Sequence, residues 1–125
     1  MINNIAFGNI MVDCADEQEL CEFYHNLLGW EKGTKYGLPA VSKEGIVFLF
    51  IQEAGYIPPT WPEEDGKQQK QMHFDFQVPN IADAVEYALT LGAVKTSVQF
   101  GGNEWVTMLD PAGHPFCLCA EGNLE

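Results

Sequence analysis

The stretch His73-Phe74-Asp75-Phe76-Gln77-Val78-Pro79-Asn80, continued by Ile81–Leu91 and Gly92-Ala93, changes period halfway along. Its first part alternates polar and apolar residues, as a half-buried strand does. Asn80 is a good N-cap, and Ile81, Ala84, Val85, Ala88, Leu89 and Leu91 then recur at helical spacing. Gly92 ends the helix. The same order occurs 64 positions earlier: Asn9-Ile10-Met11-Val12-Asp13, a helical stretch from Asp16 to Leu28, then Gly29-Trp30. There Asp16 is the cap, Glu17 and Glu19 suit the first turn, and Leu20, Phe23, Tyr24, Leu27 and Leu28 make the apolar stripe.

Working outward, Gly45-Ile46-Val47-Phe48-Leu49-Phe50 is echoed by Gly113-His114-Pro115-Phe116-Cys117-Leu118. Strands are expected over Ile5–Asp13, Trp105–Leu109 and Phe116–Cys119, the last two joined by a turn through Asp110-Pro111-Ala112-Gly113. Each half therefore reads strand, helix, then several short strands. Two copies of so long a unit indicate a duplicated module rather than a solenoid. The expected organisation is one domain over 1–125: module 1 about 1–53, a connection about 53–69, and module 2 about 70–121. The connection, with Pro58-Pro59, Pro62 and Glu63-Glu64-Asp65-Gly66, is polar and proline-rich, as a linker or a lid is.

Composition narrows the function. The 125 residues are 46% hydrophobic and 19% charged, enough apolar material for a packed core. Eighteen acidic residues stand against six basic ones, all of them lysine, for a formal net charge of −12. Nucleic-acid binding and docking on an anionic membrane are disfavoured. Without arginine, small anions lack a bidentate clamp. Cationic or neutral ligands suit this field, although surplus acid also serves solubility alone. The longest apolar run, Ile46–Ile51, is too short to span a bilayer, and Met1-Ile2-Asn3-Asn4 opens no secretory signal. A cytoplasmic protein is expected, with Cys14, Cys21, Cys117 and Cys119 as reduced thiols. Leu124-Glu125 resembles the junction to a purification tag.

The segments VDCADEQELCEFYHNLLGW (12–30), HFDFQVPNIADAVEYALTLGA (73–93) and LDPAGHPFCL (109–118) together resemble the vicinal oxygen chelate superfamily. That group holds glyoxalases, bleomycin-resistance proteins, fosfomycin-resistance enzymes and extradiol dioxygenases; the likeness is to its glyoxalase-like domain branch. The resemblance implies an α+β fold of two βαβββ modules, with curved mixed sheets around a cavity, commonly in a homodimer. Metal-dependent members place one ligand in the first strand of each module and one in the last. Transferred residue by residue, those positions are Asn9, Leu49, His73 and Cys117. Leucine cannot ligate and asparagine does so poorly, so two good donors remain and no metal cofactor is expected. An iron triad of two His and one carboxylate is also missing from these positions.

Strand alternation supplies the neighbours of those positions: Phe7 and Met11 beside Asn9, Asp75 and Gln77 beside His73, Val47 and Ile51 beside Leu49, Cys119 beside Cys117. The expected ligand-binding set is Phe7, Asn9, Met11, Leu49, Trp61, His73, Asp75 and Cys117, with Trp61 as a stacking lid. The polar members either converge on a ligand or satisfy one another. His73 is the candidate general base and Cys117 the candidate nucleophile. Two functions follow. One is a metal-free protein of the bleomycin-resistance type that binds a small aromatic or cationic molecule. The other is a lyase or isomerase acting on a small oxygenated substrate through His73.

Overall fold

The computed structural model describes residues 3–122, so Met1, Ile2 and Leu124-Glu125, with the readings made on them, lie outside it. The chain divides between Tyr56 and Ile57 into two compact units. The first holds β1 (Ile10–Cys14), α1 (Glu17–Leu28), β2 (Glu31–Lys35), β3 (Leu38–Lys43) and β4 (Ile46–Gln52). The second holds β5 (Phe74–Val78), α2 (Ile81–Thr90), β6 (Val94–Lys95), β7 (Trp105–Leu109) and β8 (Pro115–Ala120). Each is a βαβββ module, and the fold is α+β. The sheet orders are equivalent, β1-β4-β3-β2 and β5-β8-β7-β6. In both, the first strand runs parallel to the last and the remaining pairs are antiparallel.

In the first unit, Asp16 caps α1 by accepting from the Glu19 amide at 3.0 Å. Gly29 closes the helix in the left-handed region (φ 68°), its amide bonded to the His25 carbonyl. That conformation is where a side chain would be strained. The helix lays Leu20, Phe23 and Tyr24 on the sheet. Tyr24 is stacked on Phe50 (5.7 Å, 4°) and meets Phe48 edge-on. Burial of each such ring is worth about 1.5–3 kcal/mol. In the second unit, Asn80 caps α2 through the Asp83 amide at 2.9 Å. Only Ala88 of α2 is fully buried, and the aromatic cluster Phe74, Phe76 and Phe116 lies on the strands.

Three boundaries differ from the sequence expectation. The first strand starts at Ile10 rather than Ile5, because β character alone makes no ladder and 5–9 pair with no strand of the sheet. β5 starts at Phe74, leaving His73 just outside the strand but still on its polar side. Val94–Lys95 adds a two-residue strand that its length concealed.

Candidate functional site

The site is built on β5, β8 and β7 of the second unit. Asp75 is registered opposite Cys117, and Cys117 opposite Thr107, so three polar side chains form one row across the sheet. Alternation puts His73, Pro115, Cys119 and Trp105 on the same face. The connecting segment adds Trp61 and Lys70, and the loop before β7 adds Phe100. Together these line a cavity of about 280 Å³.

Within it, His73 Nε2 lies 3.2 Å from Asp75 Oδ1, and both side chains are open to solvent (38% and 62%). Cys117 is buried, with Sγ 3.5 Å from Thr107 Oγ1. Burial pushes the Cys117 thiol up, against a smaller lowering by the Thr107 contact, and the Asp75 charge raises it further. Cys119 is pushed up to about 11, mainly by burial and then by Asp75. Thiols in this state keep their proton at neutral pH, which opposes Cys117 as a nucleophile.

The aromatic wall is Trp61, Phe100 and Trp105. Phe100 meets Trp61 edge-on at 6.1 Å. The Lys70 ammonium stands 4.7 Å from the centre of the Trp61 ring and 2.6 Å from Glu63 Oε1. The indole Nε1 of Trp61 is buried without a hydrogen-bond partner.

Of the expected set, Trp61, His73, Asp75 and Cys117 line this cavity, and Phe7, Asn9, Met11 and Leu49 belong to the first unit. Leu49 is fully buried and serves as core. Phe7 precedes β1, so strand alternation does not govern it, and it is exposed. Met11 is 46% exposed and Asn9 half-buried. Absent from the expected set were Lys70, Phe100, Trp105, Thr107 and Pro115. Thr107 was legible as the register partner of Cys117, and Trp105 and Pro115 stand on the same two strands; Lys70 and Phe100 sit on loops, where periodicity carries no direction.

The family implies a metal in some members, so the donor set bears testing. In the second unit Asp75 joins His73 and Cys117, their donor atoms all within 4.8 Å of one another. Three donors are the minimum of an open site. Ligation by Cys117 would release its thiol proton, and burial raises the cost of that step. Two of the family's four positions, Asn9 and Leu49, carry no good donor, so the set departs from the family's ligand pattern.

The fold and this row define a glyoxalase-type module pair. The chain belongs to the glyoxalase-like domain family, whose model matches residues 9–119, within the vicinal oxygen chelate superfamily. Solved structures agree on the fold. An integron cassette protein from the mobile metagenome of V. cholerae is 13% identical with a TM-score of 0.61, covering 98% of this chain and 99% of that one. A glyoxalase-related enzyme from Fulvimarina pelagi is 14% identical (TM-score 0.66; 93% and 88% covered). A glyoxalase/bleomycin resistance protein/dioxygenase family enzyme from Burkholderia phytofirmans PsJN is also 14% identical (TM-score 0.66; 89% and 94% covered). No curated protein sequence matches the chain. Among the described residues, no helix is long and apolar enough to cross a membrane.

Proposed function

We propose that this chain is a metal-free binding protein that receives a small aromatic or cationic molecule in the cavity of its second module. The observation that carries this reading is an aromatic wall already bearing an ammonium, facing an open carboxylate, Asp75. Cation–π contact and a nearby carboxylate are the physical means of holding such a ligand. Lys70 does not reverse the sign of the site, because Glu63 pairs with it and Asp75 adds a further negative charge. A carboxylate ligand would meet Asp75 with no arginine to receive it.

The test is calorimetric titration with benzyltrimethylammonium and, in parallel, phenylacetate. The cation should bind more tightly, and added salt should weaken it. Equal affinities, unmoved by salt or by Asp75→Asn, overturn the reading. Elemental analysis of the same sample should find no stoichiometric zinc, iron, manganese or nickel; about one ion per chain contradicts the metal-free part.

A second reading has its own observation. The 3.2 Å contact to Asp75 orients the His73 ring, as a general base in a lyase or isomerase requires. The protein is further proposed to be a cytoplasmic homodimer. Light scattering should then exceed the 13.9 kDa of one chain at micromolar concentration.

A further inference from the structure

We infer that Lys70 is the specificity-determining residue of the cavity: its ammonium occupies the cation face of Trp61, so a ligand enters only by displacing it. The inference rests on the cation-binding reading above and adds to it which cations succeed.

The segment between the modules assembles its own host and guest. The Thr60 amide bonds the Gln68 carbonyl at 2.8 Å, which folds the chain back and brings residue 70 beside residue 61. On that loop Trp61 supplies the ring, Glu63 the anion and Lys70 the cation. The Lys70 side chain is only 20% exposed, unusual for a lysine, whose head group normally stays in water. Nothing accepts a hydrogen bond from the Trp61 Nε1, so the ring is placed by its contacts, a T-shaped one with Phe100 and Lys70 over its face. A ligand cation that takes the place of Lys70 preserves this support.

A tethered guest competes at a high effective concentration, on the order of millimolar for a short connection. A bare cation that gains only the Trp61 face therefore loses to Lys70. A cation carrying an aromatic group gains more, because it meets Trp105 and Phe100 as well and places its charge toward Asp75. The loop thus selects aromatic cations over small ones. Once displaced, the Lys70 ammonium retains Glu63 as its partner and needs no new counter-ion.

The test compares the wild-type chain with Lys70→Met, which keeps an unbranched stem, and with Lys70→Gln, which guards against a packing artefact. Calorimetry uses tetramethylammonium and benzyltrimethylammonium. Both variants should bind benzyltrimethylammonium roughly fivefold more tightly than wild type. Tetramethylammonium should bind measurably only to the variants. In wild type, the Lys70 Hε protons should be shifted upfield by the Trp61 ring and return to ordinary positions as benzyltrimethylammonium saturates. If wild type binds the aromatic cation and neither variant binds it more tightly, the role of Lys70 is overturned while the cation reading stands. Unshifted Hε protons in the free protein overturn it too. If no protein binds either cation, the cation-binding reading itself fails and the inference falls with it.

Discussion

The two modules share one architecture and put opposite chemistry on the same row. In the first, Met11, Leu49 and Ala40 are register partners across β1, β4 and β3. In the second, the equivalent partners across β5, β8 and β7 are Asp75, Cys117 and Thr107. The row is apolar in one module and polar in the other under the same strand order. The helices differ likewise: α1 buries Leu20, Cys21, Phe23 and Tyr24, whereas α2 buries Ala88 alone. The first module is organised as a packed core. The second gives up part of that packing and gains a cavity with imidazole, carboxylate and thiol in it. A fold of this kind sets where a site stands; the side chains in the row set what it does.

The largest effect of breaking this comparison is expected in the first module. Phe50 is fully buried and stacked on Tyr24. Phe50→Ala should cost about 3–5 kcal/mol, read from urea unfolding. A loss below about 1 kcal/mol would mean that the first module is not the packed half. The next test carries one row onto the other: Asp75→Met with Cys117→Leu copies Met11 and Leu49 into the second module. Stability should change by no more than about 1.5 kcal/mol, since one half-exposed carboxylate and one protonated thiol are exchanged for apolar groups. Binding of benzyltrimethylammonium should fall by roughly tenfold or more. Undiminished binding would remove the polar row from the site.

Much of this division was legible before any coordinates. Asp16 and Asn80 announced both helices, Gly29 the cap that ends the first and Gly92 the residue just past the Leu91 cap of the second, because capping chemistry is local. The 64-residue echo disclosed the duplication. His73, Asp75 and Cys117 came from alternation plus the family's positions. What local sequence does not name is a side chain's tertiary partner. Phe7 had the composition of a strand and no ladder. Leu49 occupied a ligand position but is enclosed as core. Lys70 and Phe100 were invisible because loop direction is set by tertiary contacts such as Thr60 to Gln68.

A smaller effect concerns pH. The Cys119 thiol, ordinarily near 9.0, is pushed up to about 11 in the folded chain. The folded state then holds this proton more tightly than the unfolded one. Its contribution is complete below about pH 9 and is lost as pH rises toward about 11. Thermal unfolding of wild type should therefore weaken more steeply across that window than that of Cys119→Ala. Parallel curves for the two proteins would contradict the burial argument.

The central claim is that the polar row of the second module is the binding surface, whereas Leu49 and Ala40 of its counterpart in the first are core. It is tested most directly by titrating benzyltrimethylammonium into the isotope-labelled chain while following backbone amide resonances. The amides of Asp75, Thr107, Cys117 and Trp105 should shift in proportion to saturation, with those of Ala40 and Leu49 nearly still. Shifts as large at Ala40 and Leu49, or none at Asp75 and Cys117 at saturation, would contradict the account.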